Sequence, residues 1–432
     1  MNNGGTPVAG TIFQSLALRG WRQFKAIDIN FHPQVTILTG RNGTGKTSLL
    51  NLLAQHGQFH TGFIGTPSRG KSGGGYFSDI WSLIFSEKTP PPPQAKIGSI
   101  SYSNGVSGEI LVNSNVPVDY RPTIQNQQAV YVLNITSHRR LPSYRPVQQI
   151  PASPTTSQAA LDTFQGEYWN SLRGQYSQHT PELRMKESLI SMALLGRGND
   201  IVSPNPTSFA IFEDFQTRLR EILPENIGFR RIRIQMPDVV LETASGDFLI
   251  DAASGGLMSL IQITWEITLF AQEKSVFTVM IDEPENHLHP SMQREFLPAL
   301  TSAFPEAQFL IATHSPFVVS SIKEAAIYAF DIELENFQLA KSDDLSGSRN
   351  AVVSLPVNLN NKTSAADILT KVLGVPMTIP IWAERELDAV AQQFSTAELN
   401  SETISRIHAE LKAKGLGEFF PDAIAEVAKK NA

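Results

Sequence analysis

Three short stretches of this chain carry residue types that could act together on a phosphorylated ligand. In Gly40-Arg41-Asn42-Gly43-Thr44-Gly45-Lys46-Thr47 the glycines let successive backbone N–H groups converge on phosphate oxygens, with a helix N-terminus behind them. Gly40, Asn42, Gly43, Gly45 and Ser48 shape that cradle. Lys46 can reach the β and γ phosphates of ATP, and the Thr47 hydroxyl can take a place on Mg²⁺. A glycine turn that binds nothing would leave the Lys-Thr pair without a reason to be there. The second stretch is Asp282-Glu283, at the end of the apolar run Val276–Ile281. Asp282 is placed to hold the metal with Thr47, and Glu283 to polarise a water for in-line attack. Alone, the pair could equally be a solvated acidic turn at a strand end. His314 supplies the third, after the run Gln308–Ala312, where its ring can both donate and accept toward a γ phosphate or that water.

Ser254-Gly255-Gly256 opens a long apolar helix and is a second anion-seeking helix start. One nucleotide needs one cradle, so the economical reading has this turn cap the γ phosphate bound to another copy of the chain. A plain helix cap is the alternative. His287 and His289 are spaced poorly for one helix face and precede Pro290, so a zinc site is not expected there.

The elements that must position these residues are legible as periodic runs. Val35-Thr36-Ile37-Leu38 reads as a buried strand feeding the glycine loop, and Ser48–Leu53 as the helix leaving it. Before them, Ile12–Leu18 and Phe24–Phe31 read as strands joined by a turn at Arg19–Arg22, where Trp21 or Phe24 could stack on an adenine or cover a sheet edge. Gly62–Gly75 looks like a mobile loop, Tyr76–Phe85 a short amphipathic piece, and Lys96–Val112 a hairpin turning at Ser103-Asn104-Gly105. Ala129–Ile135 delivers Ser137-His138-Arg139-Arg140 at its end, either ligand contacts or a solvated loop. Helices are expected at Gln158–Leu172, Pro181–Leu195 and Phe212–Leu223, then an antiparallel set within Arg230–Ile250. From there strand and helix alternate, which implies a parallel core sheet. Two further strands, Ala326–Phe330 and Phe337–Ala340, precede a polar stretch and a mostly helical tail from about Ser364.

With 432 residues the chain can hold two or three compact units. Its 41 acidic against 35 basic side chains give a net charge of −6, so any nucleic-acid contact must be local rather than a whole-molecule attraction. The absence of cysteine rules out disulfides and thiolate metal sites and suits a cytoplasmic address, as does the lack of a visible secretory signal or membrane-length apolar run.

The order Gly40–Thr47, Ser254-Gly255-Gly256, Ile281-Asp282-Glu283-Pro284 and His314 resembles the phosphate loop, signature, acidic strand and switch histidine of ABC-type ATPase heads. Glu283-Pro284-Glu285-Asn286-His287-Leu288-His289-Pro290, followed by Ala312–Pro316, is similar to the branch holding OLD-family and RecF-like ATPases and the ATPase subunits of anti-phage systems such as Septu, Gabija and PARIS. The resemblance spans about residues 10–335. It implies an α/β P-loop NTPase of ABC-head type, with an antiparallel β subdomain, a partly helical insertion near residues 60–225, and a helical interaction region over 341–432. It also implies ATP hydrolysis, a homodimer or higher homo-oligomer formed around nucleotide, and a separately encoded nuclease or toxin as effector. A DNA-repair ATPase that clamps nucleic acid directly is the alternative. The chain departs from the family pattern where a metal-contacting Gln is expected after the Ala129–Ile135 strand, since Ser137 and His138 stand there.

Overall fold

The computed structural model describes residues 10–58, 61–65, 93–113, 117–139, 143–151, 155–272, 274–338, 346–357, 365–373, 381–394 and 401–420, with positions 424 and 427 beyond them. The expected amphipathic piece Tyr76–Phe85, most of the Gly62–Gly75 loop and Arg140 lie outside the described residues. Two compact units, Met1–Ile368 and Leu369–Ala432, make up the chain.

The first unit opens with β1 (Phe13–Trp21), β2 (Phe24–Asn30), β3 (Val35–Gly40) and α1 (Lys46–Leu53). Then come β4 (Phe63–Ile64), the hairpin β5 (Gln94–Tyr102) and β6 (Ser107–Asn113), the short β7 (Asp119–Tyr120) and β8 (Thr123–Gln125), and β9 (Val132–Ile135). Helices α2 (Ser157–Leu172), α3 (Pro181–Arg197) and α4 (Pro206–Ile222) form the insertion. After them the chain makes a small antiparallel sheet of β10 (Phe229–Gln235), β11 (Asp238–Thr243) and β12 (Phe248–Leu249). The remainder runs α5 (Gly255–Ala271), β13 (Phe277–Asp282), α6 (Pro290–Ala303), β14 (Ala307–Ala312), α7 (Pro316–Val319), β15 (Ala326–Gln338) and β16 (Ser346–Pro356), after which α8 (Ala365–Lys371) crosses the boundary at Ile368.

One large sheet has the order β8-β6-β5-β1-β2-β16-β15-β3-β14-β13-β9. Its half from β15 to β9 is parallel throughout. There β3, β13 and β14 are buried at every position. A central parallel strand has no solvent face, which is why these three read as unbroken apolar runs. The other half is largely antiparallel, and a strand such as β6 alternates buried and exposed positions as one covered face requires.

In the sheet, β15 runs unbroken through the strand expected at Ala326–Phe330 and into the one expected at Phe337–Ala340, and two further details depart from the sequence expectations. The β1–β2 turn is tighter than Arg19–Arg22: Trp21 pairs with Phe24, leaving Arg22 and Gln23 as the loop, with Arg22 at a φ of 53°. Trp21 is fully buried, donates from Nε1 to the Tyr120 hydroxyl at 2.9 Å and packs edge-on against Phe63, so it is core and offers no face to a base. Phe24 is fully buried as well. The second departure is β16, which inserts between β2 and β15 and so joins the two halves of the sheet. Residues 346–350, read as part of a polar stretch, supply its first turn of pairing with β15.

Insertion helices begin where their capping residues stand: Thr156, Thr180 and Asn205 each accept a backbone N–H through their side chains, and Pro follows directly at Pro181 and Pro206. The Asn205-Pro206 signal starts α4 six residues before the expected Phe212. Apolar on all sides and buried along nearly its whole length, α5 packs against α2, α4 and β9. Among the described residues no helix is long and apolar enough to cross a membrane.

In the second unit, α9 (Ile381–Gln393) and α10 (Ser401–Ala413) bury Ala383, Leu387, Val390, Ile407 and Leu411 with Phe394, Leu416 and Val427. Ile407 and Leu411, on one face of α10, thus serve this unit's own core.

Candidate active site

Four neighbouring parallel strands end at one edge of the sheet, with Ile135 beside Ile281, Asp282 beside Ala312, and Ala312 beside Leu38. Their carboxyl ends deliver Ser137–Arg139, Asp282–Glu283, Thr313–His314 and the glycine loop to one end of the sheet. Open α/β sheets bind ligands at such a place.

Gly40, Gly43 and Gly45 all take positive φ, at 137°, 79° and 94°. Gly45 is the tightest case, since a Cβ there would sit 2.1 Å from Gln23 Nε2 and 2.6 Å from Phe24 Cζ. Asn42 is exposed at the loop tip, and Ser48 is half-buried in the first turn of α1. Lys46 curls into the loop and donates from Nζ to the carbonyls of Gly40 at 2.9 Å and Arg41 at 3.1 Å. Burial pushes its pKa down to about 8, against the opposing pull of Asp282, Glu283 and Glu285.

Thr47 donates from Oγ1 to Asp282 Oδ2 at 2.8 Å across 235 positions of sequence. Burial pushes the Asp282 carboxyl up to about 6, while the Thr47 hydrogen bond and Lys46 work against the rise. A hydroxyl and a carboxylate held together in this way are the all-oxygen donors that a hard cation such as Mg²⁺ prefers, so the residues present fit that ion.

Glu283 turns the chain at a φ of 47° and keeps its backbone N–H on the Ala312 carbonyl at 2.8 Å. Its Oε1 lies 3.7 Å from His314 Nε2. Burial first, and Lys46 second, push the His314 pKa below its ordinary value, so the ring is neutral at neutral pH and keeps one donor and one acceptor. Lys46, Thr47, Asp282, Glu283 and His314 therefore meet in the fold.

The Ser254-Gly255-Gly256 turn is not part of that cluster. Ser254 caps α5, its hydroxyl accepting from Leu257 N at 3.4 Å. Gly256 is pressed against the chain that follows the acidic pair, since a Cβ would come within 2.7 Å of the His287 carbonyl oxygen. His289 caps α6 through Nδ1, and among the described residues no cluster of metal-binding type is present.

Three further residues belong to the site: Arg139, from the group expected to offer ligand contacts or a solvated loop after Ala129–Ile135, and Glu285 and Asn286, to which the sequence reading gave no role. Glu285 Oε1 accepts the backbone N–H groups of His314 at 2.7 Å and Ser315 at 3.1 Å, tying the acidic turn to the histidine loop. Asn286 donates from Nδ2 to Glu283 Oε2 at 3.1 Å and to the Ser137 carbonyl at 3.2 Å. Arg139 donates from Nη1 to the Glu283 carbonyl at 3.3 Å. Burial pushes the guanidinium pKa down, offset by Tyr168, Glu266, Glu285 and Asp282. The one sequence signal was the density of polar residues in Glu283–Asn286 and in Ser137–Arg139.

Comparison with known proteins bears on the same segments. Residues 15–98 match the family described as "AAA domain", and residues 240–320 the family described as "AAA domain, putative AbiEii toxin, Type IV TA system". The Septu protein PtuA of Bacillus thuringiensis is 25% identical over 123 residues, covering 26% of this chain and 31% of that protein. The Retron Ec83 probable ATPase of Escherichia coli is 40% identical over 76 residues, covering 18% of this chain and 13% of that protein. The Retron Vc95 probable ATPase of Vibrio cholerae serotype O1 biovar El Tor is 41% identical over 49 residues, covering 11% and 10%. The chain thus spans less than a third of the length of each of these relatives. Among solved structures, the SMC head domain from Thermotoga maritima aligns at a TM-score of 0.39 and 12% identity, covering 80% of this chain and 99% of that one. The P-loop NTPase fold itself is evident in the strand order and the glycine loop between β3 and α1. Gly40–Ser48 lies within the first family match and Ser254, Asp282, Glu283 and His314 within the second, so both parts of the site fall in segments that match AAA-domain ATPase families.

Proposed function

We propose that this chain is an ATP-binding and ATP-hydrolysing switch that self-associates around nucleotide and controls a separately encoded effector in anti-phage defence. The observation that carries the catalytic part is the 2.8 Å contact between Thr47 and Asp282, with Lys46, Glu283 and His314 around it. In this reading the loop N–H groups and Lys46 hold the phosphates, and Thr47 and Asp282 hold Mg²⁺, which when bound offsets charge building on the β and γ oxygens. Glu283 orients and deprotonates the attacking water, and neutral His314 contacts the γ phosphate or that water. Self-association draws on Ser254–Gly256, a capped helix start outside the Lys46–His314 cluster, acting on the nucleotide of a second copy. The effector rests on the resemblance to defence ATPases and on the similarity to PtuA.

The test uses two variants. Lys46→Ala should lose ATP binding, because the phosphates lose the loop's point charge. Glu283→Gln should bind ATP and hydrolyse it at least ~10²-fold more slowly, the scale of a lost general base. Unchanged ATP affinity in Lys46→Ala, measured by equilibrium dialysis, would overturn the assignment.

A further inference from the structure

Resting on the reading of Glu283 as the base, we propose that Arg139 and Asn286 are its positioning residues, gripping the glutamate at its backbone and at its carboxylate. Glu283 needs such a grip because a φ of 47° is uncommon for a residue with a long side chain. A conformation of that kind persists only where the surroundings over-determine it. Here two donors converge on the Glu283 carbonyl: Asn286 N at 3.2 Å and Arg139 Nη1 at 3.3 Å. A third donor, Asn286 Nδ2, holds carboxylate oxygen Oε2 at 3.1 Å, while the other oxygen, Oε1, is the one near His314.

Asn286 is itself oriented. Its amide nitrogen also donates to the Ser137 carbonyl at 3.2 Å, so both of its acceptors are fixed and only one amide orientation satisfies them. Both grips lead back to the end of β9, through Ser137 and through Arg139. The segment where the family pattern places a metal-contacting glutamine serves in this chain as a brace for the base.

Packing alone does not account for the arginine. Its Nε and Nη2 are buried without a protein partner among the described residues, a costly state for a guanidinium whose only direct bond is to Glu283. Methionine would fill the same space without that cost. Its positive charge, near Asp282, Glu285 and Glu266, also offsets a crowd of carboxylates behind the water site.

The experiment compares Arg139→Met, Arg139→Lys and Asn286→Leu with the wild type, alone and combined with Glu283→Gln. Both Met and Leu remove the donors while keeping bulk. They should lower kcat by ~10- to 10²-fold, the scale of a misplaced catalytic group. KM and the ATP dissociation constant should stay within about threefold, since the loop is untouched. Arg139→Lys, which keeps a donor, should recover part of the loss. In the Glu283→Gln background the same changes should add less than about twofold, because residues acting through one group are not additive. Overturning results are kcat within twofold of wild type for both single variants, losses that multiply onto Glu283→Gln, or ATP affinity falling in step with kcat. If Glu283→Gln alone hydrolyses ATP normally, the fault lies in the assignment of the base and not in the grip.

Discussion

Affinity for ATP is expected to weaken about tenfold as pH rises from about 7 to about 9, with uptake of a proton on binding. In the free site Lys46 has a pKa of about 8, and its Nζ spends its hydrogen bonds on the Gly40 and Arg41 carbonyls. Phosphate oxygens bind the ammonium form, so the ligand raises the Lys46 pKa. The sign follows directly: the interaction is fully present below the free-site pKa and is lost progressively as pH climbs from there toward the raised pKa of the bound lysine. One unit above that pKa roughly one site in ten still carries the proton, which sets the tenfold figure. On the acid side Asp282, at about 6, must be ionised to hold a cation, so Mg²⁺-dependent affinity should also fall below about pH 6. Calorimetric titration of Mg·ATP in two buffers of different ionisation enthalpy reads affinity and proton count together. A constant affinity between about pH 7 and 9, without proton uptake at the upper end, would refute the placement of Lys46 against the phosphates.

Substituting alanine at Gly45 should cost more than at Gly43, although both have positive φ. Gly43 has nothing within 4 Å of a Cβ and carries only the conformational term, roughly 1–2 kcal/mol. Gly45 adds the collision with Gln23 and the buried Phe24 ring, about 1–3 kcal/mol more. Equal unfolding free energies in urea would contradict the packing around the loop. For assembly, a Ser254→Arg chain mixed with a Lys46→Ala chain should regain hydrolysis that neither has alone, through one composite site. ATP should likewise favour association of Glu283→Gln, because a ligand spanning two copies stabilises the pair. A monomer by sedimentation with saturating ATP would end that reading.

Much of the site was legible because its parts are local. A buried strand, a glycine turn and a helix follow one another within Val35–Leu53, and the spacing of glycines, Lys46 and Thr47 is a property of that short segment. The same holds for Asp282-Glu283 and His314, each announced by an apolar run whose length and β-branched content suit a parallel strand. Alternation of strand and helix after Gly255 was enough to expect a parallel sheet.

What the tertiary structure decided are the pairings between distant segments. No periodicity could place β16 between β2 and β15, because its neighbours lie more than 300 positions away on one side. Trp21, open between base stacking and covering a sheet edge, was settled as core by Tyr120 and Phe63 arriving from elsewhere in the chain. The supports of the site are of the same kind: Arg139 reaches Glu283 across 144 positions, Asn286 reaches Ser137 across 149, and Glu285 reaches His314 across 29. Residue order determines backbone periodicity and which chemical groups are on hand, since both are properties of neighbours along the chain. Which group holds which depends on strand register and on the course of the turns, and these exist only once the sheet has closed around them.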